Sequence, residues 1–120
     1  MHFFYVKLTV GPKLAGREHI FHDELESALV AQNVGCVLGW GDSLASMDFN
    51  KPARVAFHRV DIEITDFKPA LTLLQQTLEM LDAPLETEIH YAVGGTAFQD
   101  VFSSTGWLTE PCSTTRKRYT

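Results

Sequence analysis

Hydrophobic and polar positions alternate with two different periods along this chain, and the switch between them predicts its elements. Phe3 to Val10 is dense in aromatic and β-branched residues and is halted by Gly11-Pro12, which predicts a first strand. From Glu18 to Gln32 the apolar residues Phe21, Leu25, Ala28 and Leu29 share one helical face, with Glu18, Asp23, Glu24 and Glu26 on or beside the other. Acids in the opening turns suit the positive end of a helix dipole, and Asn33 reads as the stop. Val34 to Trp40 predicts a second strand, closed by Gly41-Asp42, in which Gly35, Gly39 and Gly41 alternate with Cys36, Leu38 and Trp40. One face of that strand is nearly bare, inviting close approach by a backbone or a ligand.

After a loop from Ser43 to Pro52, Arg54 to Thr65 gives the clearest strand: Val60, Ile62 and Ile64 alternate with Arg59, Asp61, Glu63 and Thr65. Asp66 stands at an N-cap position and Pro69 in the first turn of a second helix. Phe67, Leu71, Leu74, Leu78 and Leu81 then recur at alternating spacings of four and three, the strongest helical signal in the chain. Asp82-Ala83-Pro84 ends it, because the residue before a proline avoids helical geometry. Thr87 to Ala92 predicts a last strand with Ile89 and Tyr91 inward and Glu88 and His90 outward, broken by Gly94-Gly95.

Strand, helix, strand, strand, helix, strand is the signature of an α+β, ferredoxin-like βαββαβ plait: a four-stranded antiparallel sheet with two helices on one face. With 120 residues there is room for one such domain, residues 1–92, and a C-terminal extension, residues 93–120. Phe98, Val101, Phe102, Trp107 and Leu108 make the extension too apolar for a disordered tail, so it is expected to pack on its own sheet or on a second subunit.

Charge narrows the partners. The formal net charge is −5, and without the tail cations Arg116, Lys117 and Arg118 the count is 7 basic against 15 acidic residues, or −8. Such a body repels phosphate backbones, which disfavours nucleic acid; the basic tail reads as a solvated end. The longest uncharged stretch, Ser27 to Gly41, contains Gln32, Asn33 and three glycines and falls short of the roughly 20 apolar residues of a membrane span. With no signal peptide visible at Met1 to Tyr5 and only Cys36 and Cys112, the expected compartment is the cytoplasm.

Candidate chemistry gathers on the sheet face away from the helices. Arg59, Asp61 and Glu63 share it with Glu88 and His90 by parity; strand one adds either Tyr5 and Lys7 or Phe4 and Val6. His19 and His22, three apart and followed by Asp23, have the spacing of a metal pair, but no motif joins them to Cys36, His58 or His90, so no metal and no cofactor is expected. Asp42-Ser43 and Ser103-Ser104 read as turn chemistry, no G-x-S-x-G is present, and Gly94-Gly95-Thr96 lacks the lysine of a phosphate loop. Cys36 reads as a small core hydrophobe, and Cys112 as an exposed thiol with no sequence neighbour but the basic tail to activate it.

The run Asp61-Ile62-Glu63-Ile64-Thr65-Asp66, the leucines to Leu81 and Ala83-Pro84-Leu85-Glu86-Thr87-Glu88-Ile89-His90-Tyr91 resemble small uncharacterised bacterial ferredoxin-like proteins, some of which look like immunity or accessory proteins of toxin systems. The resemblance covers residues 54–92 and carries over no functional residue. The leading expectation is a non-enzymatic, homodimeric protein-binding module whose acidic surface docks a basic protein through Asp61, Glu63 and Glu88, with Arg59, His90 and Trp40 beside them. The alternative is a small dimeric α+β enzyme or ligand-binding protein whose pocket on the open sheet face is lined by His90, Glu88, Asp61, Glu63 and Trp40. A structural homodimer is a third.

Overall fold

A computed structural model of the chain describes residues 2–44 and 55–112. The basic tail, most of the loop between the second and third strands, and Arg54 lie outside the described residues. In chain order the elements are β1 (His2–Thr9), α1 (Glu18–Ala31), β2 (Gly35–Leu44), β3 (Val55–Ile64), α2 (Phe67–Met80), β4 (Glu88–Val93), β5 (Thr96–Ser103) and β6 (Gly106–Pro111).

Alternation decides which side chains are buried. Phe4, Val6 and Leu8 of β1, Val60, Ile62 and Ile64 of β3, and Ile89 and Tyr91 of β4 turn to one face of the sheet. There they meet Phe21, Leu25 and Leu29 of α1 and Ala70, Leu74 and Leu78 of α2 in a single cluster. Burying each large aliphatic side chain contributes about 1.5–3 kcal/mol, so this layer is the main source of stability. Both helices end alike. Asn33 (φ 55°) and Asp82 (φ 57°) adopt left-handed backbone. The following amides, of Val34 and Ala83, donate back to the carbonyls of Leu29 and Leu78, the six-to-one bond of a Schellman stop.

The expected four-stranded, ferredoxin-like plait is overturned, although the α+β class stands. There is one six-stranded antiparallel sheet, in the order β2-β3-β1-β4-β5-β6. The cause is Gly94-Gly95. Both residues have positive φ (58° and 85°) and Val93 pairs with Thr96, so the pair forms a two-residue turn whose twist matches the strands it joins. The glycines reverse the chain rather than ending the sheet. A second two-residue loop, Ser104-Thr105, is closed by Ser103 Oγ donating to the Gly106 carbonyl (2.7 Å) and returns β6 along β5.

The added strands share the core. Phe98, Phe102 and Trp107 pack against it from the helix side, and Trp107 Nε1 donates to Glu79 of α2 (2.8 Å). Asp100 of β5 is buried beneath α2 and accepts from Tyr91 (2.5 Å), Thr109 (2.8 Å) and Gln75 (2.6 Å), tying β4, β6 and α2 together. Burial pushes the Tyr91 phenol up, and its bond to Asp100 adds to the shift. Among the described residues no helix is long and apolar enough to cross a membrane.

Candidate functional site

β1 runs through the centre of the sheet, and its register organises the face away from the helices. Since Phe4, Val6 and Leu8 are inward, Phe3, Tyr5 and Lys7 are outward. Tyr5 is opposite Asp61 on one side and His90 on the other; Lys7 is opposite Arg59 and Glu88. The Tyr5 ring lies flat against the His90 imidazole, with centroids 4.5 Å apart and planes within 4°. The Arg59 guanidinium sits 3.8 Å over the same Tyr5 ring. Burial raises the Tyr5 phenol above its ordinary range, and Arg59 opposes the shift.

The expected acidic cluster is therefore largely paired. Arg59 Nε donates to Asp61 (2.6 Å), while Glu88 accepts from His90 Nε2 (2.6 Å) and lies 3.7 Å from Lys7. Glu63 sits on the same face between Phe3 and Cys36, with no ion-pair partner among the described residues.

The backbone of β2 turns Trp40 away from this face. A register shift between Val37 and Gly39 places one extra residue, Leu38, in β2. A bulge reverses the alternation beyond it. Gly39 and Gly41 then align with Asp61 and Arg59, while Trp40 and Asp42 align with Val60 and His58 and turn to the helix side. The pocket of His90, Glu88, Asp61, Glu63 and Trp40 expected from strict alternation is not assembled as one: an edge cavity brings Trp40 to Asp61 and Arg59, without His90, Glu88 or Glu63. The close approach expected at the glycines occurs at Gly35, where a Cβ would collide with the Glu63 carbonyl.

Cys112 joins the face instead. β6 returns along β5, and Glu110 accepts from Gln99 (2.6 Å), so the residue two further on reaches back over the outward side of β5 and β4. Its Sγ is 3.5 Å from His90 Nδ1 and 3.6 Å from Gln99 Oε1. Because His90 Nε2–H donates to Glu88, Nδ1 of the neutral ring carries the lone pair that faces the thiol. Carboxylate, imidazole and thiol thus form a chain. Beside it opens a pocket of about 270 Å³, lined by Phe3, Tyr5, His90, Ala92, Ala97 and Cys112.

A second carboxylate–imidazole chain lies on the helix side. His58 Nδ1 donates to Asp42 (2.8 Å), which leaves its Nε2 to accept from His22 Nε2 of α1 across a very short contact. Trp40 stacks on the His22 ring, with centroids 4.3 Å apart. His22 and His58 are both buried, and burial lowers the His22 imidazole to about 4, helped by the neighbouring His58. His19 is exposed and lines one cavity with His22, His58 and Asp42. Among the described residues no group of three or more His, Cys, Asp or Glu side chains is arranged to hold a metal ion.

The chain was compared with protein-family models, curated proteins and solved structures, and no match was found. A functional reading therefore rests on the geometry of the two chains. Sequence reasoning left Tyr5 as one of two parities for strand one, did not bring Gln99 or Cys112 to the open face, and read His22 with His19 rather than with His58 and Asp42. One available signal was the Gly94-Gly95 pair: read as a hairpin turn, it brings β5 alongside β4 and starts the path that returns Cys112 to His90.

Proposed function

We propose that the protein is a small-ligand-binding domain, and that its pocket on the open sheet face takes a neutral, largely apolar molecule with an aromatic or acyl part. The observation that carries this reading is the pocket between Tyr5, His90 and Cys112. Apolar walls from Phe3, Ala92 and Ala97 stand beside a convergent imidazole and thiol, the combination of apolar lining and a few placed polar groups that ligand sites use. The ligand is neutral because the nearby charges are engaged: Arg59 holds Asp61, and Glu88 is held by His90 and Lys7. The same pairing weakens the case for docking a basic protein, since a partner's cations would have to displace these contacts.

The test is binding of acetanilide, a neutral aromatic amide, followed by thermal shift and calorimetry. Ala97 is exposed on the pocket wall, so Ala97→Trp fills the pocket without disturbing the core. Stabilisation of the wild type by acetanilide, abolished in Ala97→Trp, supports the reading. No binding by either protein, or equal binding by both, overturns it.

A further inference from the structure

We propose that Cys112 is a nucleophile with His90 as its general base, and that it accepts an acyl group from a small neutral ester bound in the pocket. The proposal rests on the pocket reading above and adds a reaction to it. Three observations converge. The thiol, the imidazole and the carboxylate stand in sequence, with Sγ to Nδ1 at 3.5 Å and Nε2 to Glu88 at 2.6 Å. The imidazole is fixed in orientation by two independent contacts, the Glu88 bond at its edge and the Tyr5 ring against its face. Sγ and the imidazole both line a cavity of about 270 Å³ on this face, where a carbonyl carbon can meet the sulfur. A nucleophile, a base within reach of it and a third group orienting the base is the arrangement covalent acyl transfer requires.

Among the described residues the thiol faces two acceptors, His90 Nδ1 and Gln99 Oε1. The imidazole is the one that can carry the proton away; the amide oxygen holds the sulfur in place from the other side. In the step proposed, Sγ attacks the carbonyl carbon and forms an S–C bond as Nδ1 takes the thiol proton. The bond from that carbon to the leaving oxygen then breaks, and the imidazolium returns the proton to the departing alcohol. The products are a Cys112 thioester and a free alcohol, with no change of oxidation state. Glu88 acts through its bond to His90 Nε2. It is a positioning residue, fixing the tautomer in which Nδ1 faces the thiol.

Cys36 supplies an internal reference. It lies on the same sheet face with comparable partial exposure, but beside Glu63 and, among the described residues, without an imidazole contact. The experiment treats the full chain with p-nitrophenyl acetate, and separately with iodoacetamide, and follows each thiol by peptide mass spectrometry. Cys112 should be acetylated and alkylated at least about a hundredfold faster than Cys36, the low end of what a positioned base contributes. His90→Ala should bring Cys112 down to the Cys36 rate. Glu88→Gln should lower the Cys112 rate and change its pH profile while leaving the Cys36 rate unmoved, which a general loosening of the fold would not do. Equal rates at the two thiols of the wild type, a comparison that needs no variant to fold, overturn the proposal. So does acetyl transfer confined to lysine or histidine. If the thiols react equally while acetanilide binding remains sensitive to Ala97→Trp, the nucleophile is rejected and the binding pocket stands.

Discussion

Two carboxylate–imidazole chains sit on opposite faces of one sheet and end differently. Asp42, His58 and His22 run from β2 across β3 into α1 and close on a second imidazole under the Trp40 ring. Glu88, His90 and Cys112 run along the outward side of β4 and close on a thiol at the mouth of a pocket. The opening device is the same, a carboxylate that selects one histidine tautomer. What differs is the last group and its surroundings. In the first chain both imidazoles are buried and occupied by each other, so it acts as a polar rivet between helix and sheet. In the second the imidazole faces a thiol 3.5 Å away, and the cavity beside it has mainly apolar walls, whereas the cavity beside the first chain is lined by Glu18, His19 and Asp42 as well as the two imidazoles. The same pair of residue types is structural or chemical according to what its free nitrogen meets.

The largest expected effect tests whether the hairpin carrying Cys112 is anchored from below. Replacing Asp100 by leucine strands the donors of Tyr91, Thr109 and Gln75. It should cost about 2–4 kcal/mol in urea unfolding and abolish the difference in reactivity between Cys112 and Cys36. A smaller loss with that difference intact would show that the open-face chain is held by other means.

The next contrast sets the two histidines against each other. His58→Ala removes a buried ring and leaves His22 without its acceptor, for a loss of about 2 kcal/mol or more. His90→Ala, on the open face, should cost about 1 kcal/mol or less while removing the Cys112 reactivity. The reverse order of stability losses would break the comparison.

A pH experiment sharpens it. In the folded protein burial and His58 lower the His22 imidazole to about 4, from an ordinary value of 6.5. Between these values the unfolded chain binds the extra proton and the folded chain does not, so stability must fall as pH drops from 6.5 toward 4. His22→Gln, which keeps a donor toward His58, should flatten that part of the stability curve. A wild-type curve already flat over that window would contradict the assignment of a buried, neutral His22.

The smallest effect is expected at Arg59. The Arg59 and Asp61 side chains are each 37% exposed, and such pairs contribute little. Arg59→Gln should change stability by less than about 0.5 kcal/mol. A larger loss would show that the guanidinium over Tyr5 supports the site more than its exposure implies.

Much of the fold was legible because single residues carried it. The stripe Phe67 to Leu81 and the alternation at Val60, Ile62 and Ile64 predicted α2 and β3, and the outward position of Asp61, Glu63, Glu88 and His90 followed from parity. The errors arose where parity fails or where distance along the chain is long. A bulge at Leu38, flanked by glycine, leaves no trace in alternation, and it moved Trp40 to the other face. Gly94-Gly95 was read as a terminator although the same pair makes a tight hairpin turn, and with it went the expectation of a four-stranded sheet. Cys112 meets His90 across 22 residues, and His22 meets His58 across 36. Contacts of that span depend on strand order and register, which local pattern does not specify.

The central claim is that binding belongs to the open face and the helix-side chain is structural. Titration of the ¹⁵N-labelled protein with acetanilide, followed by amide NMR shifts, tests it directly. The account predicts saturable shifts centred on Phe3, Tyr5, His90, Ala92, Ala97 and Cys112, with Glu18, His19, His22, Trp40 and Asp42 unmoved. Shifts centred on Trp40 and His22, or no shifts on either face, would contradict it.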